Sequence, residues 1–87
     1  SMTFTLGGTE FDIKPAKTKS ILAIENKLGK GLSQIGNDIA FSDIVIIVQC
    51  ALQQDNDVAD NWIEENTTIA EMSAFTEVMN YFLAIPS

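Results

Sequence analysis

Apolar residues alternate twice at the start of the chain. Phe4 and Leu6 have period two, as do Phe11 and Ile13, and Gly7-Gly8 sits between the two pairs. This alternation predicts two half-buried strands, and paired glycines supply the positive φ that a tight primed turn needs. No Gly-Lys-Ser/Thr follows the glycines, so a turn is favoured over a phosphate loop. A lone hairpin is marginal in water, so its apolar face must lie on the rest of the chain.

After Pro15 the period changes. Ile21, Ile24 and Leu28, widened by Leu22, predict a helix over about 17–28. Gly29 suits a left-handed stop, and Lys27 and Lys30 suit the negative end of the helix dipole. A short helical turn is expected over 32–35 and a chain reversal at 36–38. Leu32, Ile35, Ile39 and Phe41 are the expected anchors of this connection.

The most apolar stretch is SDIVIIVQCALQQ, residues 42–54. Its β-branched run leaves a strand over 44–48 as the alternative. A helix is favoured because Ser42 is a good N-cap with Asp43 just behind it. Gln49, Gln53 and Gln54 would then share the one polar face of a nearly buried helix. From Asp57 onward, Val58, Ala59, Trp62 and Ile63 fall on one helical face. Asp57, Asp60, Asn61, Glu64 and Glu65 fall on the other, predicting an acidic helix capped by Asn56 or Asp57. Thr68-Ile-Ala-Glu71 matches a capping box. The last helix carries Ile69, Met72, Phe75, Met79 and Phe82 and stops at Ile85-Pro86-Ser87. The fold expected is mainly α, of the α+β class: an N-terminal β-hairpin packed on a small bundle of about four helices. One domain spans 1–87, with Ser1 read as an expression scar ahead of Met2.

Composition sharpens this picture. With 87 residues, 46% of them apolar, the chain can build one modest core. No apolar run approaches the ~20 residues that cross a bilayer, and the first residues are not a charged-then-apolar leader. A soluble, cytoplasmic protein is expected. The net charge is −7, and its distribution is uneven. All five lysines lie at or before Lys30, whereas nine of the acidic residues follow it. That disfavours nucleic acid and anionic membranes as partners and leaves a basic protein partner.

Little catalytic chemistry is legible. The chain has one cysteine and no histidine, so a disulfide within it, a zinc site and a Cys-His or Ser-His pair are all excluded. Cys50 reads as a small buried hydrophobe. The Asp55–Asn66 stretch has the flavour of a calcium loop but carries Asp60 where glycine belongs and Asn66 where glutamate belongs. Asn66-Thr67-Thr68 matches a glycosylation sequon but carries no weight without a secretory leader. No metal and no cofactor are expected, and an enzyme is disfavoured. Trp62 has two readings, a core-packing ring, which is preferred, or an interface anchor ringed by acids. The partner surface, if the acidic helix supplies it, is Asp57, Asp60, Trp62, Glu64 and Glu65.

The order of pieces resembles a known family. GGTEFDIKP, then ILAIENKLGKGLSQI, then AFSDIVIIVQCALQQ, then DVADNWIEENT and a final amphipathic helix is similar to the short tail assembly chaperone-like proteins of siphophages and gene transfer agents. The likeness rests on Ile24, Glu25, Leu28 and Gly29 and on Ala51-Leu52 closing an apolar helix. Lysines stand where early arginines are expected, and glutamines follow Ala51-Leu52 in place of a glycine-leucine element. The resemblance implies a non-enzymatic protein of the bacterial host cytoplasm. It would bind the long tape-measure protein, or another tail protein, during tail morphogenesis. A small acidic regulator or inhibitor of a basic protein, or a structural virion subunit that self-associates, are the alternatives.

Overall fold

The computed structural model describes residues 1–85. Strands β1 (Met2–Leu6) and β2 (Thr9–Ile13) form an antiparallel pair with Leu6 opposite Thr9, Phe4 opposite Phe11 and Met2 opposite Ile13. Gly7 and Gly8 both take positive φ, 55° and 76°, as a primed two-residue turn demands. The register places Phe4, Leu6, Phe11 and Ile13 on one face, as the alternation predicts. Leu6 and Ile13 are fully buried.

Helix α1 (Thr18–Leu28) ends at Gly29, whose φ of 68° lets its N–H return to the Glu25 carbonyl. Its buried stripe is narrower than expected. Ile24 is fully buried and Ile21 and Leu28 are half-buried, but Leu22 is 61% exposed. Leu22 lies two positions from Ile24, roughly 200° around the helix, so it faces away from the core. The short helix α2 (Leu32–Ile35) forms where expected. Of the four expected anchors in this connection only Ile35 is fully buried; Ile39 is half-buried, and Leu32 and Phe41 keep about two fifths of their surface exposed.

Helix α3 (Phe41–Asp55) settles the ambiguous stretch as helix. It is the axis of the molecule, packed against α1, β2 and the two helices that follow. Two details differ from expectation. The N-cap is Ala40, not Ser42; the Asp43 carboxylate accepts the Ala40 N–H at 3.1 Å in place of a side-chain cap. Gln49 is buried, not on a solvated face. The acidic helix also starts late. Residues 57–59 are irregular, and α4 covers only Trp62–Asn66. Amphipathic spacing alone did not decide this start: a tie from α3, described below, did.

The final run opens as predicted at Thr68, with a 3₁₀ turn (Ile69–Glu71) leading into α5 (Met72–Phe82). Phe75, Val78, Met79 and Phe82 are buried, but Ile69 and Met72 lie outside the core. They belong to the 3₁₀ turn and the first helical residue, where the 3.6-residue period does not yet hold. The helix stops at Phe82, before the expected Ile85-Pro86-Ser87, whose last two residues lie outside the described residues. The core joins Ile24 of α1, Ile47, Val48 and Leu52 of α3, and Phe75 and Phe82 of α5. The result is a hairpin on a small helical bundle of the α+β class. Among the described residues no helix is long and apolar enough to cross a membrane.

Glu71 closes hairpin onto bundle. Its Oε1 accepts the Gly7 N–H at 2.7 Å, and its Oε2 accepts the Thr68 N–H at 3.4 Å. The turn is therefore pinned, and its two glycines should differ in tolerance. A Cβ on Gly8 meets open space, whereas one on Gly7 collides with the Asn66 carbonyl and comes within 3.3 Å of the Trp62 ring. Gly8→Ala should cost about 1 kcal/mol for the left-handed conformation alone. Gly7→Ala should cost about 2 kcal/mol more, as an off-rotamer, overpacked site does. Urea midpoints of the two variants measure the difference, and equal midpoints would contradict the pinned turn.

Candidate protein-docking groove

The open face of α3 carries Phe41 and Val45, one turn apart and so stacked on one side of the helix. Facing them are Ile63 and Glu64 of α4, Thr67 and Thr68 of the connection, and Ile69 of the 3₁₀ turn, with Phe75 of α5 at the base. They enclose a shallow groove of about 230 Å³. Phe41 and Phe75 meet with ring centroids 6.2 Å apart and planes tilted by 42°. Phe41 is 38% exposed, Ile69 64% and Met72 40%. A second, smaller hollow shares Val45 and Glu64 with the first and is lined further by Ile46, Gln49, Lys27 and Asp60. The two hollows meet at Val45 and Glu64 and form one strip along α3, mainly apolar in the first hollow and mixed in the second, where Lys27, Gln49, Asp60 and Glu64 join Val45 and Ile46.

Side-chain ties from α3 set both walls. The Gln49 Oε1 accepts the Ile63 N–H at 2.9 Å, and its Nε2 donates to the Ala59 carbonyl at 2.9 Å. Ile63 is the second residue of α4, so its N–H is one of the donors a helix start leaves unpaired. Gln49 thus performs from another helix what an N-cap side chain does locally. Gln53 Nε2 donates to Asp60 Oδ1 at 2.8 Å and holds the same connection from outside. Gln54 does the equivalent for α1: its Oε1 accepts from Lys17 N–H and Ser20 Oγ, at 2.9 and 2.6 Å. The three glutamines are ties between helices, not a polar face.

Lys30 Nζ lies 2.9 Å from Asp43 Oδ2 and also donates to the Asp38 carbonyl at 3.1 Å. Lys30 therefore clasps the connection before α3 to the first turn of α3, a role beyond the dipole match read from sequence. The lysine hydrogen bond, then the Ala40 N–H, hold the Asp43 carboxyl below its ordinary range.

The five residues expected at a partner surface are not one face. Asp60 and Glu64 are exposed and border the strip. Glu65 is exposed but lines neither hollow, and Asp57 sits exposed on the irregular connection. Trp62 is half-buried and presents its edge to Phe11, centroids 4.8 Å apart at 81°, joining α4 to the hairpin. Phe41 was expected as an anchor of the connection, Val45 as part of a nearly buried helix, and Ile69 and Met72 as part of the last helix's apolar stripe, so none was read as a surface residue. The break in α4 and the 3₁₀ turn are what leave them outside.

Cys50 is buried, and desolvation pushes its thiol up, away from the reactive thiolate. Among the described residues no three metal-ligating side chains cluster. The residues behind the family resemblance all have local work in the fold. Ile24 and Ala51-Leu52 are core, Leu28 packs against it, Gly29 stops α1, and Glu25 Oε2 accepts the Leu32 N–H at 2.7 Å. Compared with protein families, curated proteins and solved structures, the chain finds no match.

The Lys30–Asp43 tie predicts an acid-sensitive step. A carboxyl whose folded pKa is depressed adds stability above its unfolded pKa, and that stability is lost as pH falls through the folded value. Urea midpoints should therefore fall as pH drops below the ordinary aspartate range of about 4. Asp43→Asn should be less stable at neutral pH and show a shallower acid decline. An identical decline in both proteins would remove Asp43 as its source.

Proposed function

We propose that this chain is a non-enzymatic protein-binding module, acting as a tail assembly chaperone-like protein that holds a tape-measure protein during phage tail morphogenesis. One observation carries the reading: an acidic protein leaves an apolar strip of Phe41, Val45 and Ile69 open beside Asp60 and Glu64. A contiguous exposed apolar surface with a polar rim is a docking surface more often than idle exposure. A long helical client needs its apolar stripe covered while it waits for assembly. A small chaperone of high net charge can cover it and keep the complexes apart in solution. The bacterial host cytoplasm is the compartment where this happens.

A second observation favours self-association as an alternative. A hollow of about 420 Å³ beside β1, lined by Met2, Phe4, Tyr81 and Ile85 with Glu77 and Asn80, is also apolar and open. A structural virion subunit would use such a surface to form rings.

Co-expression with the longest helical protein encoded nearby, followed by size exclusion with light scattering, separates these. The chaperone reading predicts a soluble complex with several copies per client chain. A compact one-to-one complex, or a ring of this chain alone, would replace it with the regulatory or structural reading.

A further inference from the structure

The lining of the α3 strip contains helices, one 3₁₀ turn and the connection between them, with no free strand edge among the lining residues. Several polar groups of its walls are occupied internally, while the Glu64 carboxylate at its rim has no partner among the described residues. Thr67 Oγ1 donates to the Ile63 carbonyl at 2.6 Å, the Thr68 N–H is held by Glu71, and both ends of the Gln49 amide are used. An extended peptide would bring unpaired backbone groups to a surface that has few partners to offer. A helix arrives with its backbone already paired and needs only side-chain packing. Phe41 and Val45 on one wall and Ile69 on the other leave room for about one large apolar side chain between them. Asp60 and Glu64 lie along one side, and Lys27 is the cation at the far end. Residues 41–49 run about 12 Å along α3, which matches two turns of a docked helix.

We infer that the strip takes an amphipathic α-helix of a protein partner, its apolar residues seated between Phe41, Val45 and Ile69 and its cationic flank over Asp60 and Glu64. The carboxylates set which helices are accepted, and the apolar wall supplies the contact area. Gln53 already holds Asp60, so this carboxylate is presented in a fixed place, which favours an incoming cation. This inference rests on the protein-binding reading above and specifies its partner surface.

The test uses two 18-residue peptides with identical leucine stripes, one with lysine and one with glutamate on the flanks, titrated against the full chain by fluorescence anisotropy. The lysine peptide should bind, gain helical circular dichroism on binding and weaken as salt rises. The glutamate peptide should bind at least about tenfold more weakly. Ile69→Asp, at a largely exposed position, should reduce lysine-peptide affinity about tenfold. The Asp60→Lys, Glu64→Lys double variant should reverse the preference between peptides. Equal binding of both peptides, an unaltered Ile69→Asp affinity, an unreversed preference, or no binding would each overturn the inference. Repeating the client co-expression with Ile69→Asp separates the two levels. A client complex that survives the substitution sinks the groove but spares the chaperone reading. Peptide binding with no client complex does the reverse.

Discussion

A buried amide has to be satisfied at both ends, and in this protein that requirement falls on Gln49. It sits on the long central helix α3, between Val48 and Cys50, with only 8% of its surface exposed. Left unpaired there, its oxygen and nitrogen would each cost on the order of 1–3 kcal/mol. The Ile63 N–H and Ala59 carbonyl satisfy them. The exchange works both ways, because α4 has only five residues and cannot stabilise its own start. One side chain thus fixes where the acidic helix begins. It also decides which acids face α3 and places Ile63 at the groove wall.

The same economy recurs elsewhere. Gln54 pairs the first turn of α1, Glu25 the start of α2, and Glu71 ties the 3₁₀ turn to the hairpin. A domain of this size has a modest core. Side-chain bonds between elements add to what packing supplies. The cost appears at the surface: with α4 short and the 3₁₀ turn wound tightly, Phe41, Ile69 and Met72 are only partly covered. Asp60 and Glu64 border that strip.

This explains what the sequence could and could not tell. The hairpin was legible because Gly7-Gly8 and strict alternation are local signals that tertiary context had no reason to override. So were the Gly29 stop and the short α2. A helix over 42–54 was anticipated and α3 spans 41–55; Asp43 does sit in its first turn, but Ser42 is not the cap and Gln49 is buried. The acidic helix was half legible. Its amphipathic spacing is real, but the start depends on a residue 14 positions away, which no local pattern encodes. The expected partner surface came mainly from charge, and two of its residues, Asp60 and Glu64, border the strip. Trp62 was named with them, although it packs against Phe11. The apolar half of the groove was missed because spacing shows which residues share a stripe, not whether the chain supplies anything to cover it.

Amide hydrogen exchange at Ile63, in the natural chain and in Gln49→Leu, tests the role of Gln49 most directly. The account predicts that Ile63 is strongly protected in the natural chain. In the variant, protection at Ile63 and Thr67 should drop by about 10- to 100-fold, while Ile47 and Leu52 on α3 stay protected. An Ile63 amide that exchanges equally in both proteins would show that α4 holds its own start, and the central role given to Gln49 would fall.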